Sequence, residues 1–265
     1  IMNECRCCSR NLIEKLFSTH LFKNNVAYFE CNNCGYVQTE EPWWLEDAYA
    51  HAINNSDTGI MTRNLSNTSL VLATLTLMKN RSSPVVDFAG GHGFLVRLLR
   101  DIGINALWSD PYCENLVARG FEYDNKNQAI LVTTFETFEH LVRPSDEMTK
   151  LLDIAPNILL TTNIISDPVP EPTDWWYYGL EHGQHIGFYR LRTLKYLADK
   201  FGLYLISDGV GRHLFSKQKY SYIAWRILIY IANRFPKLLS MGMKSKTWED
   251  HLHTSNIKND FTLNK

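Results

Sequence analysis

A strand that runs directly into a glycine-rich turn and then a helix constrains this chain more than any other feature. Val85-Val86-Asp87-Phe88-Ala89-Gly90-Gly91-His92-Gly93-Phe94 begins with strand-forming residues, places three glycines in positions 90–93 and ends on an apolar helical pattern. Glycine lets the backbone take left-handed conformations and pass close to a ligand, since no Cβ stands between. In an open parallel sheet, ligands bind at the carboxyl ends of the strands, so the turn predicts an architecture and the place of a site within it.

The flanking sequence alternates as that architecture requires. Val85–Ala89 reads as a strand, Phe94–Ile102 as a helix, Ala106–Ser109 as a strand and Glu114–Arg119 as a helix. Ile130–Phe135 and Asn157–Asn163 are further strands, Leu191–Phe201 is a helix closed by Gly202, and Leu203–Ser207 with Arg212–Ser216 form an antiparallel pair. The alternation predicts an α/β, Rossmann-like sheet, mostly parallel, with helices on both faces. Upstream, a helix is expected from Leu45 to about Asn54 and another from Asn64 to Lys79, before the break at Asn80–Pro84. The expected organisation is a small module over residues 1–42, a helical connector over 43–80, the α/β domain over 81–220, and a C-terminal helix and tail over 221–265, polar and loosely held from Lys246 on. Tyr222–Ala232 is apolar but too short to span a bilayer. It reads as a core or oligomer-contact helix, with an interfacial membrane helix as the alternative because Arg and Lys flank it.

Five of the six cysteines fall within the first 34 residues. Cys5-x-x-Cys8 and Cys31-x-x-Cys34 are two knuckles separated by room for a short strand pair, and four thiolates close a tetrahedral zinc site with no open position. Gly35 allows the tight turn that brings backbone N–H groups toward the sulfurs. Cys7 competes with Cys8 as a ligand, but only Cys8 has the spacing of the second knuckle. A pair of disulfides is the alternative, opposed by a reducing compartment. A closed four-thiolate site does no chemistry, so the module is expected to be structural.

Composition removes other classes. A chain of 265 residues that is 45% hydrophobic can bury a full core. Its 27 Lys and Arg against 28 Asp and Glu supply no broad positive field, which disfavours nucleic acid as a partner. No stretch reaches the roughly 20 apolar residues of a transmembrane helix, and the first residues do not have the order of a signal peptide, so the expected location is cytoplasmic.

A dinucleotide fingerprint would need Gly or Ala in the slot that Val96 occupies, and a P-loop would need a Lys after the glycines. The turn instead resembles the first motif of class I S-adenosylmethionine-dependent methyltransferases, with Ala89 where Gly is usual. The resemblance implies that Asp87, Ala89, Gly90, Gly91 and Gly93 wrap the cofactor's methionine end. Asp110 ends the next strand, 23 residues after Asp87. A carboxylate at such a place is a turn residue or an acceptor for two ribose hydroxyls, and the glycine turn favours the ribose. Pro111 follows it. Leu131–Leu141 resembles the family's fourth-strand segment, which puts Phe135 and Glu136 on the cofactor; Ile130 stands where an acid is common.

With the cysteine pairs, the Trp43–Tyr49 stretch and Gly183–Tyr189, residues 1–216 resemble methyltransferases that carry an N-terminal zinc module. Sugar C-methyltransferases of deoxysugar pathways and enzymes of surface-polysaccharide biosynthesis belong to that group. The implied acceptor is a sugar or nucleotide sugar. The long connection from Asn163 to Tyr189 is where it would bind. Trp175, Trp176, Tyr177 and Tyr178 offer faces for a sugar ring and Gln184 a polar edge, unless the aromatics are simply packed on the core. An acceptor hydroxyl or enolisable carbon needs a base to take its proton. The resemblance puts His185 beside the acceptor, followed by His140, with Glu181 and His182 behind them. Two other functions are weighed against this one: an NAD-dependent sugar oxidoreductase and a noncatalytic binding module on the same scaffold. O- or C-methylation, the sugar and the oligomeric state stay open.

Overall fold

The computed structural model describes residues 4–49, 58–126 and 128–255. In chain order its elements are β1 (Ile13–Leu21), β2 (Asn24–Cys31), β3 (Val37–Thr39), α1 (Leu45–Ala48), α2 (Ile60–Leu77), β4 (Val85–Phe88), α3 (Phe94–Asp101), β5 (Ala106–Ser109), β6 (Leu131–Phe135), α4 (Pro144–Ile154), β7 (Asn157–Thr161), β8 (Gly187–Phe188), α5 (Leu191–Phe201), β9 (Tyr204–Ser207), β10 (Arg212–Ser216), α6 (Tyr222–Arg234), α7 (Pro236–Leu239) and α8 (Thr247–Thr254). Single 3-10 turns lie at Phe138–His140 and Trp176–Tyr178. The fold is a mixed α/β, Rossmann-like one, and the chain divides into two compact units.

One unit combines Ile1–Thr58 with Leu131–Tyr222. Its first sheet has the order β1-β2-β3-β8 and is antiparallel throughout. The β1–β2 hairpin occupies the space between the cysteine knuckles, with Ile13 opposite Cys31 and a register shift between Lys15 and Phe17. Its fourth strand comes from far along the chain, where Gly187 and Phe188 pair with Gln38 and Val37. The cysteine module therefore folds together with the segment expected to hold an acceptor. Leu21, Val26, Tyr28, Trp44, Tyr178 and Phe188 pack into the core beneath this sheet. The second sheet runs β6-β7-β10-β9. β6 and β7 are parallel and linked through α4, while β10 lies antiparallel to both β7 and β9, as expected for the terminal pair.

The other unit combines Gly59–Ile130 with Ile223–Lys265. β4 and β5 are parallel, Val85 opposite Ala106, with α3 as the crossover. Leu95, Val96 and Leu99 form the buried stripe of α3. Trp225 of α6 is fully buried and its indole N–H donates to Thr74 Oγ1 of α2 at 3.0 Å.

Three sequence expectations need correction. The helix expected at Glu114–Arg119 is a run of bends. Competing bonds hold it open: Asn115 Oδ1 accepts the Ala118 N–H at 2.9 Å, and the His92 carbonyl accepts both Leu116 and Val117 N–H groups. Helix α4 was not expected, although Pro144 at its start, acids in its first turn and apolar Met148, Leu151 and Ile154 mark it. Within the tail expected to be loose from Lys246 on, residues 247–254 form α8, and residues 256–265 lie outside the described residues. Arg100 grips Asp250 of α8 with two bonds of 2.6 and 2.7 Å, and Arg97 adds a third at 2.7 Å. The first expected helix is described only as Leu45–Ala48; its remainder past Tyr49 lies outside the described residues.

Candidate active site

The glycine turn follows β4 with three residues in the left-handed region: Ala89 at φ 56°, Gly91 at 53° and Gly93 at 89°. A side chain at Gly90 would put its Cβ 2.8 Å from Asp87 Oδ2 and 3.1 Å from Trp108 Cδ1, so that glycine serves close packing. At Gly91 a Cβ would meet nothing within 4 Å, which makes this the open side of the turn. Ala89 accepts the same unfavourable conformation with a methyl group attached, at a cost of about 1–2 kcal/mol.

Asp110 braces this turn. Its Oδ2 accepts the Gly91 N–H at 2.9 Å, and its Oδ1 accepts the N–H groups of Tyr112 and Cys113 at 2.8 and 3.0 Å. Trp108 Nε1 donates to the Gly91 carbonyl at 2.8 Å from the other side. Asp110 thus performs the turn role weighed against the ribose role. Each carboxylate oxygen has more than one acceptor direction, so the two roles are compatible. Asp87 is buried, and Pro111 is exposed.

In the other unit, Phe135 ends β6 and Glu136 follows at φ 50°. Thr161 donates to Glu136 Oε1 at 2.7 Å and fixes that carboxylate. One turn later the structure brings together Glu139, His140, Tyr177, His182 and His185. The His185 ring lies 4.9 Å from that of His140, 4.8 Å from that of His182 and 4.7 Å from that of Tyr177, centroid to centroid. His185 Nδ1 is 2.6 Å from the Tyr177 carbonyl oxygen, which can only accept, so Nδ1 carries the proton and Nε2 keeps its lone pair. His140 Nδ1 faces the Gln184 carbonyl at 3.1 Å and the Tyr49 hydroxyl at 2.7 Å. The Tyr177 hydroxyl donates to Glu139 Oε1 at 2.6 Å.

Burial sets the electrostatics of this cluster. It lowers the His185 pKa below the ordinary 6.5, with the hydrogen bond to the Tyr177 carbonyl acting the other way. It pushes His140 further down, helped by His185 and His182, and it lowers His182 to about 4. The three rings are therefore neutral at pH 7. Burial, then the charge of Glu139, raises the Tyr177 phenol well above its usual range.

The remaining sequence candidates take different places. Gln184 donates from Nε2 to the Ala48 carbonyl at 2.9 Å. Tyr178 is fully buried against Tyr28 and Phe188, its hydroxyl donating to the Pro170 carbonyl. Trp175 packs on Tyr177, Tyr178 and Phe188, while Trp176 is 77% exposed and presents an open ring. Glu181 is exposed. Sequence reasoning missed Glu139 and Tyr49. Glu139 adjoins His140, but its contact with Tyr177, 38 residues on, had no local signal.

At the N-terminus, Cys5 and Cys34 sulfurs are 3.6 Å apart and those of Cys8 and Cys31 3.5 Å, and all four lie within 4.8 Å of one another. A disulfide would need about 2.05 Å, whereas bonds of about 2.3 Å to one tetrahedral ion put the sulfurs near the observed spacing. Gly35 follows at φ 75°, its N–H bonded to the Cys31 carbonyl at 2.8 Å. Cys7 is buried but lies outside the four-sulfur group. Among the described residues, one carboxylate oxygen of Glu139 and ring nitrogens of His140 and His185 form a second group within 4.8 Å. A cleft of about 660 Å³ lined by Arg81, Asn105, Met241 and Lys246 includes none of the residues singled out from sequence.

A family profile described as a methyltransferase domain matches residues 61–208. No curated protein matches the sequence. Among solved structures, the chain is similar to an O-methyltransferase family protein from Burkholderia thailandensis, at 12% identity and TM-score 0.45, over 58% of this chain and 56% of that one. It is similar to the magnesium protoporphyrin IX methyltransferase of Synechocystis PCC 6803, solved with bound SAH, at 14% identity and TM-score 0.44, over 64% of this chain and 90% of that one. A third, an O-methyltransferase family 2 protein from Planctomyces limnophilus in complex with apigenin, shares 13% identity at TM-score 0.41, over 64% of this chain and 63% of that one. The chain spans just over half the length of the Burkholderia protein.

Proposed function

Since this chain belongs to the methyltransferase-domain family matched over residues 61–208, we propose that it methylates a sugar or nucleotide sugar at oxygen or carbon, with S-adenosylmethionine as donor and His185 as the base. Family membership removes the nicotinamide oxidoreductase reading. S-adenosylmethionine, when bound, supplies an electrophilic methyl group and leaves as S-adenosylhomocysteine. The residues for it are Asp87, Ala89, Gly90, Gly91, Gly93, Asp110 and Pro111, with Phe135 and Glu136. The open outer face at Gly91 fits such a ligand, since among the described residues nothing lies within 4 Å of where a Cβ would stand.

The observation that carries the base assignment is the bond from His185 Nδ1 to the Tyr177 carbonyl. It leaves a fixed, neutral imidazole with its Nε2 lone pair for the acceptor proton. His140, held by Tyr49 and Gln184, is the second base of the pair. The exposed ring of Trp176 offers a face for the C–H side of a sugar, while Tyr177 and Tyr178 support the segment from within the core. Cys5, Cys8, Cys31 and Cys34 hold a structural zinc that fixes the hairpin packed under the acceptor segment. Incubating a nucleotide-sugar panel with the protein and methyl-labelled cofactor, with mass spectrometry as readout, tests the proposal. Labelled sugar supports it, and label found only on non-sugar acceptors sinks it.

A second reading has one observation in its favour: Glu139, His140 and His185 are a ligand set suited to a divalent metal that would activate the acceptor itself. Metal content separates the two. One metal per chain leaves His185 as the base, and two per chain transfers its lone pair to a metal.

A further inference from the structure

Between Asp208 and Glu249 the sequence carries eight Lys and Arg and no Asp or Glu, in a chain whose net charge is −1. The part of this stretch from Ile223 on, which lies in one unit, also carries exposed apolar side chains. Helix α6 buries one side, through Trp225, Ile229 and Ala232. On its other side Ile223 is 70% exposed, Ile227 54% and Tyr230 67%. These three recur at helical spacing, so they form a single stripe. Beyond the helix, Phe235 and Leu238 are also more than half exposed. An exposed apolar stripe on a helix marks a surface that another body covers, and among the described residues this side of α6 stays exposed. At 13 residues it is too short to cross a bilayer.

From these observations we infer that α6 and α7 form a docking surface for an anionic phospholipid membrane, with the apolar stripe entering the headgroup layer and the surrounding cations facing lipid phosphates. Arg226 and Arg234 on the helix and Lys237 on α7 are exposed, and basic residues among exposed apolar ones are the composition of helices that lie in a bilayer interface. Tyr230 adds an amphipathic ring suited to that depth. Charge selects the occupant: from Ile223 to Trp248, within one unit, the sequence carries five Lys and Arg without a single acid, which matches a negative lipid surface. A second copy of the chain would bring the same cations against themselves. The anchoring side is independent of the stripe, because α6 is held to α2 by Trp225 and Thr74. This inference does not depend on the acceptor being a sugar.

Cosedimentation of the full chain with vesicles tests it. The protein should pellet with vesicles of 30% phosphatidylserine in phosphatidylcholine and stay in solution with pure phosphatidylcholine, and raising salt from 50 to 500 mM should weaken binding at least about tenfold. The double substitution Ile227→Asp with Tyr230→Asp should weaken binding by about tenfold or more at low salt. Val210→Asp, at a 68% exposed apolar position outside the stripe, should leave binding unchanged. Circular dichroism confirms that each variant is folded, and Ile227→Lys serves if the double variant is not, with the same loss required despite its added positive charge. Absence of binding by the wild type, or equal binding by folded stripe variants, overturns the proposal. So does a lipid-free dimer that the stripe substitutions dissociate, since a second copy would then be the occupant.

Discussion

Nδ1 of His185 and the carbonyl oxygen of Tyr177 stand 2.6 Å apart, and this one hydrogen bond decides which nitrogen of the ring is left for chemistry. The carbonyl fixes the tautomer, and the 9% exposure of His185 keeps the ring neutral at pH 7. In the proposed mechanism, the base is therefore prepared before any acceptor arrives.

Replacing His185 by Ala should lower turnover by roughly 10²–10⁴, the usual range for a lost general base. S-adenosylhomocysteine affinity, measured by calorimetry, should stay within about twofold, because the glycine turn and Asp110 carry the cofactor in this proposal. The same change at His140 ranks the two rings. Near-normal turnover in both variants would remove the histidines from the mechanism.

The depressed pKa values of His140, His182 and His185 make a stability prediction. Each ring ionises near 6.5 when unfolded and lower when folded, down to about 4 for His182. The unfolded chain then binds more protons in acid, so stability is fully present above about pH 6.5 and is lost as pH falls toward 4. Thermal melts should be flat from pH 7 to 8 and decline below 6.5. Substituting His182 and His185 together by Gln should lessen that decline, leaving the share of His140.

For the cysteine group, elemental analysis of protein prepared without chelator should find zinc on the four clustered thiolates. Cys7→Ser should retain it, and Cys31→Ser should lose it and open the β1–β2 hairpin to proteolysis. Retention of zinc by the Cys31 variant would show that these sulfurs do not hold the metal.

Asp110 has two tasks that substitution can separate. Asp110→Ala removes the acceptor for Gly91, Tyr112 and Cys113 and should weaken S-adenosylhomocysteine by roughly 1.5–3 kcal/mol. Asp110→Asn keeps a carbonyl acceptor and should recover part of the turn's stability with less of the affinity. Unchanged affinity in both variants would leave Asp110 with the turn alone.

The turn's backbone predicts opposite effects at neighbouring positions. Gly93→Ala forces a Cβ to within 2.8 Å of Asn115 Oδ1 at φ 89° and should destabilise by about 1–3 kcal/mol. Ala89→Gly relieves a methyl held at φ 56° and should stabilise by about 0.5–1 kcal/mol, after the added freedom of the unfolded chain is counted. Urea denaturation midpoints measure both.

The sequence by itself determined what depends on neighbours along the chain. The glycine turn after β4, helix α5 ending at Gly202 with φ 63°, the β9–β10 pair and the spacing of the four cysteines all follow from local conformational preference and short-range pattern. Helix α4 was equally legible from Pro144 and its apolar spacing, whereas Glu114–Arg119 failed because Asn115 and His92 capture its backbone. Only the tertiary structure decided the rest. Pairing of Gly187 with Gln38, the contact of Glu139 with Tyr177, the grip of Arg100 on Asp250 and the core burial of Tyr178 join residues from 38 to 150 positions apart, or depend on what surrounds them. Such contacts are set by which faces must be buried together, and burial then sets the protonation of His140, His182 and His185, a property that no residue carries in its own sequence context.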